Sequence, residues 1–132
     1  MHTNRKEHKM IPETLQEIMR GEGIAAIATQ GKDGPHLVNT WHSYITVNDE
    51  GHFLIPAAWY RKTEENLKSD PRVLMTMGSR NVQGLQYVGT GYLITGTAEI
   101  AYSGPDVDLM KQRFDWLRAV LIIKPETFEQ TL

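Results

Sequence analysis

The stretch from Ile24 to Val47 places the tightest limit on the fold. IAAIATQ is short and apolar, and Gly31-Lys32-Asp33-Gly34-Pro35 stops it with turn chemistry. The residues that follow, His36 to Val47, have the β-branched and aromatic content of a returning strand. A strand, a tight turn and a second strand predict an antiparallel hairpin. Yet neither face of 36–47 is clean. Leu37, Asn39, Trp41, Ser43, Ile45 and Val47 alternate with His36, Val38, Thr40, His42, Tyr44 and Thr46. A sheet with one wet face alternates more sharply. Both faces of this strand are therefore expected to meet something other than bulk water.

Other elements follow from local signals. Pro12 suits a first helical turn, Leu15, Ile18 and Met19 fall at helical spacing, and Gly21 and Gly23 end the helix. Strands are expected over His52 to Ala58, Val73 to Met77, Gly91 to Tyr102 and Ala119 to Ile123, with Gly96 a bulge or a site of close approach. Thr63 is a plausible N-cap for a helix closed by Pro71. Ser103-Gly104-Pro105 opens a last helix in which Val107, Met110, Phe114 and Leu117 share a face. This order does not alternate as βαβ units, and neither GxGxxG nor GxxxxGK[ST] occurs. The expected class is mainly β, a small β-barrel with accessory helices.

At 132 residues the chain reads as one domain, 11–132, after a flexible basic tail at 1–10. A net charge of −2 supplies no broad basic surface, so nucleic acid is not an expected partner. The longest uncharged run, Asn81 to Ala98, contains Gly84, Gly89, Gly91 and Gly96 and is unsuited to hydrocarbon. No membrane contact is expected, and the plain reading of location is cytoplasmic. The sequence has no cysteine. That excludes thiolate catalysis, a CxxC pair and cysteine-held clusters, so any redox centre must be borrowed.

Candidate chemistry is sparse. In Pro56-Ala57-Ala58-Trp59-Tyr60-Arg61-Lys62-Thr63-Glu64 a strand ends, small residues allow close approach, and two cations precede a helix start. Free N–H groups there could clamp a phosphate; the plainer reading is a surface helix with solvated basic side chains. Trp41 and Trp116 could wall a flat ligand or serve as core. Tyr44, three residues beyond Trp41, is expected on the opposite face. His36 and His42 lie about 20 Å apart on an extended strand, too far for one metal ion. No metal site, GxSxG serine or acid–base dyad emerges, and no catalytic residue is assigned.

Taken together in order, AIATQGKDGPHLVNTWHSY, P-A-A-x-x-R-K-T-E-x-N, VLMTMGSR, GTGYLITGTA, RFDWLRAVLII and the ending EQTL resemble the pyridoxamine-phosphate-oxidase-like FMN-binding split-barrel superfamily. The resemblance covers about 12–132. It implies a six-stranded antiparallel split barrel, a homodimer, and one non-covalent FMN per subunit at the dimer interface. Carried onto this sequence, it implies that Lys62 and Thr63 hold the FMN phosphate. It also implies that Asn39, Thr40 and Trp41 line the flavin, and that Pro56, Ala57 and Ala58 run beside the ring. Trp116 matches an aromatic near the ring, and Leu132 a residue reaching the flavin of the other subunit. The family pattern has glycines where this chain has Ala57-Ala58.

Two functions follow from the resemblance. One is a flavin redox protein that passes electrons to or from a redox partner protein or small-molecule reductant, with Glu22 a candidate charge near the ring. The other is an FMN-dependent oxidoreductase, either an NAD(P)H:flavin reductase or an oxidase of the pyridoxamine-phosphate type. The latter would need a second anion site from Arg72, Arg80, Arg113 or Arg118. A haem-binding barrel ranks last, with only His42 or His52 available as an axial ligand.

Overall fold

The computed structural model describes residues 11–132; the expected tail at 1–10 lies outside the described residues. Helix α1 (Glu13–Arg20) comes first and buries Leu15 and Ile18 completely. Strands β1 (Ile24–Gly31) and β2 (Gly34–Trp41) then form the expected hairpin. Ile24 lies opposite Trp41 and Gly31 opposite Gly34, which leaves Lys32 and Asp33 as a two-residue loop. Gly34 takes a φ of 106°, a conformation open to glycine and strained for other residues.

The expected strand 36–47 is divided. His42 turns inward, its Nδ1 lying 2.9 Å from the Gly21 carbonyl oxygen and its backbone N–H donating to the Gly23 carbonyl. Gly23 leaves room for the ring, since a Cβ there would fall 2.7 Å from the imidazole Cε1. His42–Tyr44 therefore form a single 3-10 turn, and only Thr46–Val47 resume as β3. The remaining elements are β4 (Phe53–Ala57), α2 (Arg61–Ser69), β5 (Arg72–Gln83), β6 (Val88–Ala101), α3 (Pro105–Lys111) and β7 (Ala119–Gln130).

Seven strands form one antiparallel sheet in the order β2-β1-β5-β6-β7-β4-β3. Among the described residues the count is seven and not the expected six, because β2 and β3 are separate. No ladder joins β2 to β3 among the described residues, so the sheet is open. β5 and β7 run well past Met77 and Ile123, where apolar character fades, because β6 pairs with both along most of its length. α3 stops at Lys111, and Phe114 and Leu117 are buried from the turns that follow it.

Two apolar cores lie on either side of β4 and β7. Phe53, Ile55, Leu121 and Ile123 face the larger one, with α1, Met75 and Ile94. Leu54, Val120 and Ile122 face the smaller one, with Val107, Met110 and Phe114. No helix among the described residues is long and apolar enough to cross a membrane.

Gly96 is both things the sequence suggested. The β6–β7 register shifts between Thr95 and Gly96, and a Cβ on Gly96 would overlap the Lys124 carbonyl oxygen. Pro125 sits opposite, where its missing N–H suits a break in the ladder. Gly96→Ala should lower stability by about 1–3 kcal/mol, read as a shifted urea midpoint, because backbone must move to admit the methyl.

Asp70, after α2, accepts bonds from the Arg72 N–H, Nε and Nη2. The Arg72 guanidinium holds its carboxyl down at about 2 from an ordinary 3.8. A carboxyl lowered by folding stabilises above its unfolded pKa, and that contribution fades as pH falls through the folded value. Urea midpoints measured from pH 5 down to pH 2 should therefore fall less steeply in Asp70→Asn than in the parent chain.

Candidate functional site

A cleft of about 300 Å³ opens where the end of β2 meets the end of β4. β1 supplies Ile24, and β2 supplies Asn39, Thr40 and Trp41. The end of β4 and the segment after it supply Pro56, Ala58, Trp59 and Tyr60, while Tyr44 and Trp116 close the remaining side. Six of the ten expected site residues thus come together: Asn39, Thr40, Trp41, Pro56, Ala58 and Trp116. Ala57 faces inward and is wholly buried, as its alternation with Pro56 and Ala58 along the strand requires. Its methyl therefore does not narrow the cleft; that of Ala58 lines it.

All three tryptophans of the chain, Trp41, Trp59 and Trp116, line this one cleft. Each remains substantially exposed, at 45%, 73% and 49%. Tyr44 joins them, contrary to the expectation that it faces the other way. Alternation fails because the strand has already ended at Trp41 and the 3-10 turn rotates Tyr44 back. Its ring lies 5.0 Å from Phe114 and 6.1 Å from Trp116, centroid to centroid, and Phe114 lies 5.5 Å from Trp116. Such tilted packing fixes the ring positions and leaves indole surface available to a planar ligand.

The cleft runs directly into the start of α2. Tyr60 takes the N-cap position with φ 41° and ψ 34°, a left-handed conformation uncommon for a bulky residue. Its hydroxyl donates to the Asn39 carbonyl at 2.6 Å, tying one wall of the cleft to the other. Burial raises the phenol pKa, which keeps that donor protonated. Thr63 is not the N-cap that the sequence suggested: the helix begins two residues earlier, and no side chain caps it. Thr63 Oγ1 is instead buried with no hydrogen-bond partner. Lys62 Nζ lies 3.6 Å from both Asp33 and Glu65, pairs exposed enough to be weak. An uncapped helix start, an unpartnered hydroxyl and a loosely paired lysine are groups that could hold an anion.

Leu132 lies elsewhere. Its carbonyl accepts from the Leu85 N–H at 2.7 Å and the Thr90 hydroxyl at 3.1 Å. It borders a second, more apolar cleft of about 780 Å³ with Arg80, Leu85 and Tyr87, which shares no lining residue with the tryptophan cleft. Glu22 also lies outside the tryptophan cleft lining. Its carboxylate accepts from the Ser43 hydroxyl at 2.5 Å and the Ser43 N–H at 3.0 Å, bonds that lower its pKa and fix the turn after β2.

Three of the four arginines held in reserve are engaged. Arg72 pairs with Asp70, and Arg113 donates to the Thr46 hydroxyl and the Ser43 carbonyl. Arg118 donates to the carbonyls of Ala58 and Trp59 and pairs with Glu64. Arg80 borders the cleft beside Leu132 and Arg72 a further one beside Asp70, and none of the four lines the tryptophan cleft. The sequence reading did not count Ile24, Tyr44, Trp59 or Tyr60 among the cofactor-binding residues, although the bulk of Trp59-Tyr60 beside a helix start is a usable signal, and it offered Arg118 only for a second anion site. Among the described residues no group of three His, Asp or Glu is placed to hold a metal ion.

Comparison with known proteins agrees with this architecture. Residues 11–131 match the family model for pyridoxamine 5′-phosphate oxidase. An FMN-binding protein of Nitratidesulfovibrio vulgaris (strain Miyazaki F) is 50% identical over 123 residues, covering 93% of this chain and 100% of that protein. Among solved structures, HupZ of Group A Streptococcus superposes with a TM-score of 0.75 at 21% identity, over 92% of this chain and 94% of that one. An FMN-binding protein of Syntrophomonas wolfei gives a TM-score of 0.68 at 14% identity, over 91% of this chain and 85% of that one. At those identities the two structures speak for the fold alone. With nearly all its described residues matched and one relative at half identity, the chain belongs to the pyridoxamine 5′-phosphate oxidase family.

Proposed function

We propose that this protein binds one FMN non-covalently per subunit and serves as an electron carrier. The observation that carries the reading is the meeting of three tryptophans with an uncapped helix start whose Thr63 hydroxyl has no partner. The 50% identical relative is an FMN-binding protein, which supports the same ligand here.

The residues fit the group. Thr63 Oγ1 and the first N–H groups of α2 would bind the phosphate, and Lys62 would exchange its exposed carboxylate partners for it. Trp41 and Trp116 would cover the ring system, and Asn39, Thr40, Pro56 and Ala58 would border it. Bound FMN supplies a centre that accepts and releases electrons, which a chain without cysteine lacks. The protein's part is to hold the ring, keep water from it and set its surroundings.

A homodimer belongs to the same proposal. The outer face of β2, β1 and β5 aligns Leu37, Ala28 and Leu74 in one cross-strand row, and Leu37 and Leu74 are exposed. Ile24 and Trp41 extend this apolar face to the cleft. A second subunit would cover it and bring Leu132 to the other flavin. An oxidase of a phosphorylated amine is less well supported. Arg72, Arg113 and Arg118 are spent on protein groups, and Arg80 lies at the other cleft. Haem is not favoured either, since the His42 imidazole is buried against the Gly21 carbonyl.

Protein purified under native conditions should be yellow, release one FMN per chain on denaturation, and elute as a dimer. Thr63→Ala should weaken FMN binding while leaving riboflavin, which lacks the phosphate, unaffected. Anaerobic reduction without steady NADH consumption or peroxide formation in air would favour the carrier over the enzyme. A colourless protein that takes up no added FMN would rule the reading out.

A further inference from the structure

We infer that Arg118 is the positioning residue of the cleft: it turns the backbone of residues 57–60 so that consecutive peptide N–H groups face the ligand. The inference rests on the proposed FMN site and deepens it.

The geometry begins with three successive carbonyls. The Ala57 carbonyl accepts from the Arg118 N–H at 2.9 Å, that of Ala58 from Arg118 Nε at 3.1 Å, and that of Trp59 from Nη2 at 2.7 Å. An extended strand would send successive carbonyls to opposite sides. Here one residue collects all three. In a trans peptide the N–H points opposite to the C=O of the same plane, and no cis bond occurs among the described residues. The N–H groups of Ala58, Trp59 and Tyr60 are therefore directed away from Arg118.

Arg118 does not line the cleft, whereas Ala58, Trp59 and Tyr60 do. The segment thus stands between the guanidinium and the ligand space, with its donor side toward the latter. No hydrogen-bond acceptor is found for these three N–H groups among the described residues, although the neighbouring Glu64 N–H is bonded to the Tyr60 carbonyl. A run of unpaired donors beside a ring-sized cleft calls for a ligand with acceptor atoms along its edge, such as the carbonyl oxygens and nitrogens of a flavin.

The guanidinium is itself held in place. Nη2 pairs with Glu64 Oε1 at 3.1 Å, and both side chains are largely shielded, at 24% and 13% exposure. Glu64 lies in the first turn of α2, so the same ion pair locks the cleft wall to the anion-binding helix start. Lysine could supply the charge but not the planar fork that meets Ala58, Trp59 and Glu64 together.

The test compares FMN with riboflavin, which has the ring but no phosphate. In Arg118→Met, both ligands should bind at least about ten-fold more weakly, because several ring-edge bonds depend on one residue. The visible absorption bands of the flavin that still binds should also shift, a change that general loosening of the fold would not impose. Arg118→Lys should recover stability without recovering the band positions; if Arg118→Met fails to fold by circular dichroism, this variant decides the matter. Unchanged affinity and unchanged bands in a folded variant would overturn the inference while leaving FMN binding intact. Loss of FMN affinity with riboflavin affinity unchanged would overturn it too, since the effect would then lie at the phosphate. A parent chain that binds neither ligand would overturn the functional reading itself.

Discussion

The pairing of β4 with β7 is the contact on which the remainder of the structure depends. Phe53 through Ala57 lie in register with Ile123 through Ala119, and all ten of these residues are buried. Both faces are covered, one by each core. Such strands read as unbroken apolar runs because neither face meets water. Each fully buried side chain of this kind contributes roughly 1.5–3 kcal/mol. The ladder ends at Ala57 opposite Ala119; just beyond it Ala58 begins the cleft wall, with Arg118 bonded to its carbonyl from behind. The site is thus built on the last rung of the most deeply buried part of the sheet.

Strong local signals made much of this legible in the sequence. The Gly31 to Pro35 turn fixed the first hairpin and its register. Gly96 was marked as unusual because a glycine inside a strand pattern has few other uses, and the packed backbone of Lys124 supplies the reason. The grouping of Asn39, Thr40 and Trp41 with Pro56, Ala58 and Trp116 came from resemblance to a family, and the cleft brings those six together. Lys62 and Thr63 follow at the adjoining helix start.

What could not be read depended on contacts distant in the chain. The break after Trp41 arises from a bond between His42 and the Gly21 carbonyl, twenty-one positions away. Strict alternation placed Tyr44 on the wrong side for that reason alone. Thr63 looked like an N-cap because threonine favours that place, but the helix starts earlier, at a left-handed tyrosine whose hydroxyl is held by Asn39. The late parts of β5 and β7 lack an apolar face and are strands only because β6 offers partners. Apolar periodicity also ran past the end of α3, since Phe114 and Leu117 reach the same core from turns.

The open sheet has two free edges, and their composition governs how copies of the chain can associate. An edge strand with unpaired N–H and carbonyl groups can recruit another strand and propagate without limit. Here one edge, β3, is only two residues long. The other, β2, starts with Gly34-Pro35, and proline withholds a donor from the first rung. Neither edge templates further strands well. Part of the exposed apolar surface lies on the sheet's face, at Leu37, Trp41 and Leu74, where contact between two copies can close on itself. The arrangement steers a chain with considerable exposed aromatic surface toward finite assemblies and away from fibres.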